Sequence, residues 1–236
     1  MSVEEKVLDK IKALFRMAEH PNSNPNEAAV AMEKATKLLL EHNLSRASID
    51  VGTGAVLDAS VISHMDFTEQ RNNFSWSASL LSCIARHNLC KVVQSEKESK
   101  IHIFGNSSNR DVVIEMYVWV RLQLQVMADT AWSSYIGPQT KAKYLYEFYF
   151  GAINIINDRL KKPYQEFTGT PGGNALVVYN DRALQVAARQ MFPNLSAGHR
   201  RSINRGDGYY SGQDAGRNAS FSKPGSIGSP RALGSG

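Results

Sequence analysis

Between Asn109 and Lys161 the chain spells two long amphipathic helices, and this stretch limits the possible folds more than any other. The first carries Val113, Met116, Tyr117, Val120, Leu124, Met127, Ala131 and Trp132. The second carries Tyr144, Leu145, Phe148, Ala152, Ile155, Ile156 and Leu160. Steps of three and four residues bring each set onto one helical face. Ile136-Gly137-Pro138-Gln139 is a natural joint between them, so the stretch predicts a helical hairpin that buries more apolar surface than any other part of the chain. Glu147, Asn154, Asn157 and Arg159 interrupt the second helix, which excludes it as a membrane span.

Around this pair the pattern alternates between helix and strand. A strand is expected near Val56 to Met65, centred on Val61 and Ile62. Ser75 is a candidate cap for a helix from Trp76 to His87, with Trp76, Leu80, Leu81 and Ile84 inward and Asn88 as its end. Leu89 to Gln94 and Lys100 to Phe104 read as a β-hairpin, in which Ile101 and Ile103 alternate with Lys100 and His102. Glu96 to Ser99 form its polar turn. After Lys162 the spacing predicts a break at Pro163, a flexible loop over Thr168 to Asn174 and a short strand over Ala175 to Tyr179. A helix capped by Asn180 or Asp181 then carries Leu184, Ala187, Ala188 and Met191. The fold class is therefore α+β, mainly helical, with a small antiparallel sheet packed on the long helical pair.

Charge divides the chain unevenly. Of a net +5, the segment from Ser196 to Gly236 holds +4, from Arg200, Arg201, Arg205, Arg217, Lys223 and Arg231 against Asp207 and Asp214. Three regions follow: residues 1–45 as a helical hairpin, 46–195 as the α+β core, and 196–236 as a basic Gly/Ser-rich tail, partly disordered from Phe221 onward. Within the tail, Gly208, Gly212 and Gly216 recur every four residues. In a helix they would form a smooth strip, and because glycine is a poor helix former such a helix needs a partner surface. Two cysteines make no disulfide framework, and the start of the chain has no secretory pattern. The expected location is the cytoplasm.

The amino-terminal region has the clearest local grammar. Val7, Ile11, Leu14, Phe15 and Ala18 lie on one face of a helix from Val3 to Glu19, and Pro21 follows it. Asn24, Pro25 and Glu27 supply a cap, a first-turn proline and a capping-box carboxylate. The second helix runs to about His42 with Ala28, Met32, Ala35 and Leu39 inward, and Asn43 terminates it.

Lys10-Ile11-Lys12-Ala13-Leu14, Glu27-Ala28, Ala35-Thr36-Lys37-Leu38-Leu39 and Glu41-His42-Asn43-Leu44-Ser45 resemble the signature of the domain of unknown function 2786 family. That family is common in bacteria, prophages and phages. Asn43 replaces the glycine usual in the family and keeps the left-handed cap. The signature covers about the first 45 residues. The resemblance implies a phage or prophage setting, with the host cytoplasm as the site of action, and no particular activity.

Candidate sites were weighed against ordinary structural roles. Cys83, His87 and Cys90, with His102, have ligand-like spacing, and a zinc site would need all of them to converge at about 2.0–2.3 Å. Asn88 breaks the helix before Cys90, so the expectation is buried thiols and no metal. Asp111 and Glu115 are expected to complement a helix dipole rather than to catalyse. Gly169-Thr170-Pro171-Gly172-Gly173 lacks the lysine and spacing of a phosphate loop. No hydrolase elbow or metalloprotease motif is present, and no cofactor is implied.

The best partner-binding candidate is His199-Arg200-Arg201 with Arg205, Tyr209 and Tyr210. Guanidinium groups pair with phosphates and tyrosine faces stack on bases. The same tyrosines could instead pack the glycine strip onto the body. The expected function is non-enzymatic: a phage- or prophage-type protein that binds nucleic acid or a machine that handles it. Two alternatives stand beside it. One is a protein-interaction module that inhibits a host factor. The other is a ligand-binding protein or enzyme with a pocket between the helical pair and the glycine-rich segment.

Overall fold

The computed structural model describes residues 63–68, 74–95, 100–196 and 203–221, together with Lys10, Ala13, Leu14, Lys34, Lys37, Leu38, Leu40 and Glu41. Strands β1 (Ser63–Thr68), β2 (Lys91–Ser95) and β3 (Lys100–Gly105) form one antiparallel sheet in the order β1-β3-β2. Helices α1 (Phe74–His87), α2 (Ser107–Ser133), α3 (Lys141–Thr168), α4 (Pro171–Met191) and α5 (Asp207–Asn218) complete the described elements. The protein is α+β and mainly helical. Most of the expected amino-terminal hairpin, the strand positions before Ser63 and the turn over residues 96–99 lie outside the described residues.

The helical pair forms as its periodicity demands. Asn106 caps α2 by accepting from the Asn109 N–H at 2.9 Å. Val113, Met116, Tyr117, Val120 and Leu124 are buried, as are Tyr144, Phe148, Ala152, Ile156 and Leu160 on α3. Both sets join Leu80, Leu81 and Ile84 of α1 and Ile101 and Ile103 of β3 in one cluster. Trp76 of α1 lies flat on Tyr149 of α3, ring centroids 3.8 Å apart.

Several boundaries differ from the expectation. The described first strand, Ser63–Thr68, overlaps the expected one and runs three residues past its expected end at Met65, pairing Met65 with Ile103. Helix α1 begins at Phe74, before the expected cap at Ser75. After it, Leu89 rather than an asparagine takes the left-handed conformation, at φ 54°. That geometry costs an L-residue about 1–2 kcal/mol. It is held because the Cys90 N–H closes onto the Ala85 carbonyl and the Leu89 side chain is buried with Leu40 and Phe167. In β3, His102 is not on a wet face: it is 4% exposed, against the Phe192 ring. Helix α4 covers that face, where Val93 and Phe104 pack with Leu184 and Ala188.

The largest correction follows Lys162. Pro163 does not end α3; the helix continues through it to Thr168. An internal proline costs about 3 kcal/mol, offset here because its ring is buried and Phe167, one turn on, anchors the cluster with Leu40 and Leu89. The expected loop over 168–174 shrinks to Gly169-Thr170, and the expected strand over 175–179 is helical, as is the expected cap at 180–181. Thr170 is the reason. Its hydroxyl donates to the Phe167 carbonyl at 2.8 Å and accepts from the Gly173 N–H at 3.1 Å, with Pro171 in the first turn. A side chain at Gly173 would meet both the Phe167 carbonyl and that hydroxyl, so the turn closes only around glycine.

Of the amino-terminal region, the described positions are helical, with Leu40 fully buried and Leu14 and Leu38 packed against the main cluster.

Candidate partner-binding surface at the carboxyl-terminal helix

Helix α5, which lies in the segment grouped with the basic tail, is bound along α3. Gly208, Gly212 and Gly216 place their backbone on the carbonyls of Tyr144, Phe148 and Ala152 in turn, and Gly151 does the same against Tyr209. A β-carbon at any of these would stand under 3 Å from a carbonyl oxygen, closer than such atoms approach. The offset of 64 shared by the Gly208, Gly212 and Gly216 pairs means that the two helices run parallel. Contacts at this range bring glycine Cα–H groups onto carbonyl oxygens, a weak attraction that recurs where helices touch. Main chain therefore lies directly on main chain along the seam between α3 and α5.

Both ends of α5 are fastened by polar groups. At its start Gly206 offers no side-chain cap. Gln139 substitutes, its Oε1 accepting from the Gly208 N–H at 3.3 Å while its Nε2 donates to Glu147 Oε2 at 2.8 Å. Glu147 is buried there, its Oε2 beside Gly206 at the amino end of α5. Tyr135 donates its hydroxyl to Asp207 at 2.8 Å. At the far end Arg159 Nη1 donates to the carbonyls of Gly216 and Ala219, each at 2.7 Å, and its guanidinium lies 4.5 Å from the Phe221 ring centre. Burial lowers the Arg159 pKa to about 10. Gln123 pairs with the Ser220 backbone as one amide with another, at 2.6 and 2.9 Å. Phe221, where disorder was expected to begin, is buried.

The predicted partner-binding residues separate on this scaffold. Arg200 and Arg201 lie outside the described residues. Arg205 is exposed, its guanidinium carbon 5.9 Å from the Tyr209 ring centre. Tyr209 is 7% exposed and packs α5 onto the body, whereas Tyr210 is 57% exposed on the outer face. Asp207 and Asp214 lie one turn to either side of Tyr210, and Asp214 is paired with Arg217. Lys141 and Lys143, both exposed, begin α3 beside the turn whose Gln139 meets Gly206. Among the described residues, this end of the bundle thus offers the exposed Tyr210 ring, which meets Tyr209 edge-on, and the exposed cations Arg205, Lys141 and Lys143, with Asp207 and Asp214 bonded to Tyr135 and Arg217.

The remaining candidates do not assemble. Cys83 and His87 both turn to Asn157 Oδ1, at 3.9 and 3.1 Å, while Cys90 lies against Gly105 and His102 against Phe192. No group of three or more His, Cys, Asp or Glu among the described residues is placed to hold a metal ion. Burial pushes the thiols of Cys83 and Cys90 up to about 12. Asp111 and Glu115 are exposed and lie beyond the first turn of α2, too far along to serve its dipole. Around Thr170 the N–H groups of Gly169, Thr170, Gly173 and Asn174 are already bonded within the turn. No helix among the described residues is long and apolar enough to cross a membrane.

Gln123, Gln139, Glu147 and Arg159 were not foreseen as fasteners. The available signal was a charged residue beside the apolar stripe of α3 at Glu147 and Arg159, which reads equally as a solvated interruption.

Residues 6–46 match the family model described as a protein of unknown function, DUF2786. The match is confined to the amino-terminal region and leaves the sheet, the helical pair and α5 outside it. No curated protein and no solved structure matches the chain.

Proposed function

We propose that this chain is a non-enzymatic binding protein of phage or prophage type, acting in the host cytoplasm on nucleic acid or on a machine that handles it. The observation that carries the proposal is the excess of positive charge in residues 196–236, the segment that also holds the exposed Arg205 and, on α5, the exposed Tyr210. Arg200 and Arg201 precede that helix by a few residues, and Lys141 and Lys143 add charge at the same end of α3. Cations at such a surface gain affinity by releasing counterions from phosphates, and an exposed ring adds stacking. Tyr209 has a packing role in this scheme. Tyr210 alone is the stacking residue.

The test is a titration of the full chain with short single- and double-stranded DNA and RNA at two salt concentrations. Binding that weakens steeply with salt, and that is lost in an Arg200→Ala/Arg201→Ala/Arg205→Ala variant of unchanged melting temperature, supports direct contact. Salt-independent binding, or none at low salt, overturns it.

A second reading is protein docking. Val118, Leu122 and Val126 recur every four residues on the outer face of α2 and are 43%, 46% and 68% exposed. A helix face of this kind suits a partner helix or groove. Capture of a protein after nuclease treatment, abolished by Leu122→Asp, would favour this reading over the first.

A further inference from the structure

His87 ends α1 and is buried, 4% exposed, although α1 is followed at once by a turn. Its surroundings define its protonation. Asn157 Oδ1 accepts from the Cys83 thiol as well as facing His87 Nε2 at 3.1 Å, so Nε2 carries the ring proton. Nδ1 is then a bare lone pair, buried and without a hydrogen-bond partner among the described residues. The ring edge meets Tyr164 at 5.3 Å. Tyr164 in turn lines the cluster where Leu40, Leu89 and Phe167 pack, with Leu176 and Val177 of α4. Leu40 belongs to the amino-terminal segment, so the imidazole reaches, through Tyr164, the cluster that holds this residue on the helical core.

We infer that His87 is an acid-operated release at this joint: a proton at Nδ1 loosens the cluster that holds Leu40 on α1, α3 and α4. The protonated ring would carry a buried N–H with no acceptor. Arg86 of α1 and Lys161 of α3 face it with like charge. The carboxylates of the neighbourhood serve other groups, Asp158 acting on Cys83 and Asp181 of α4 on Tyr164, with Lys91 of β2 facing Asp181. On the amino-terminal side Lys37 and Glu41, which flank Leu40, are exposed and 4.0 Å from one another. Nothing in this set offers Nδ1 an acceptor.

The direction of the linkage follows. Burial holds the His87 pKa below its ordinary 6.5 against an upward pull from its hydrogen bond to Asn157, and Arg86 and Lys161 add lesser downward contributions. The closed state is therefore favoured while the ring is neutral. Its advantage is full above pH 6.5, falls as pH drops through that value, and stops falling below the lowered pKa. Within that window up to one extra proton binds on opening, so the open-to-closed ratio rises by at most about tenfold for each pH unit lost.

The experiment is a methyl NMR titration of the full chain from pH 7.5 to 4.5, following the Leu40 and Leu89 methyl groups alongside the His87 ring protons. Two variants, His87→Gln and His87→Phe, accompany it; the second keeps an aromatic edge against Tyr164 if the first fails to fold. In the wild type the leucine methyls should move or broaden with the midpoint of the His87 ring. That response should vanish in either variant. Leucine signals that stay constant while His87 titrates, or that respond equally in the variants, overturn the inference.

Discussion

Adding a single methyl group at Gly212 tests the parallel packing of α5 on α3 most directly. In an isolated helix Gly→Ala stabilises by about 1 kcal/mol, because alanine gives up less backbone freedom. Here the new β-carbon would be driven into the Phe148 carbonyl oxygen, the nearest approach along the strip. That oxygen belongs to the main chain of a buried helix and cannot rotate away. Overpacking of this kind costs about 1–3 kcal/mol, and a rigid neighbour puts it near the upper end. The net expectation for Gly212→Ala is a loss of about 2 kcal/mol, the propensity gain included. Urea unfolding of the full chain should show a lower midpoint with an unchanged slope. A synthetic peptide of residues 203–221 with the same change should become more helical, which separates the two terms. Gly216→Ala should cost less than Gly212→Ala, since its nearest carbonyl is farther away. If Gly212→Ala equals or exceeds the wild type in stability, the backbone contact is wrong and the glycines serve some other end.

Arg159→Met should destabilise by about 2 kcal/mol, from bonds between a charged donor and two carbonyls set against the relief of burying that charge. Arg159→Lys should not restore the loss, because an ammonium lacks the planar fork; urea midpoints of the three proteins decide it. Cys83 and Cys90, with thiols near 12 and buried, should resist a thiol reagent at pH 8 in the folded chain and react on unfolding. Labelling at the rate of a free peptide cysteine would show that one of them is open to solvent.

How much of this was legible in the sequence depended on whether a residue's role was local or distant. The helical pair and the β-hairpin were readable because Val113 to Leu124, Tyr144 to Leu160 and Ile101 to Ile103 declare their faces by spacing alone. Gly208, Gly212 and Gly216 were readable to the same depth: the four-residue repeat announced a smooth helical strip, and the need for a partner followed from propensity. Which partner it was could not follow, because the carbonyls of Tyr144, Phe148 and Ala152 are main-chain groups that no side-chain pattern reveals. The amino-terminal signature was recognised at the residues that the family model matches, 6–46, yet it carries no chemistry to the rest of the chain.

The errors share one physical cause, which is that breaker residues were judged by their intrinsic preferences. Pro163 and the glycines at 169, 172 and 173 all argue for irregular chain when taken singly. Together with Thr170 they instead make one helix end and the next begin within two residues, because the threonine hydroxyl bonds to Phe167 behind it and Gly173 ahead. Once α4 starts there, Leu184 and Ala188 reach the outer face of the sheet, and His102 is buried rather than wet. The same logic divides the two tyrosines of the candidate site. Position 209 falls on the side of α5 turned to α3 and position 210 on the side turned away, so helical phase decides which tyrosine packs and which is exposed. On the proposed reading a partner of this end would meet, among the described residues, Tyr210, Arg205 and the lysines that begin α3, with Asp207 and Asp214 opposing an anion. A phosphate-bearing ligand would have to engage the arginines that precede the helix to overcome those two carboxylates. Arg200 and Arg201 are accordingly the residues whose removal should weaken such binding more than any change on α5 itself.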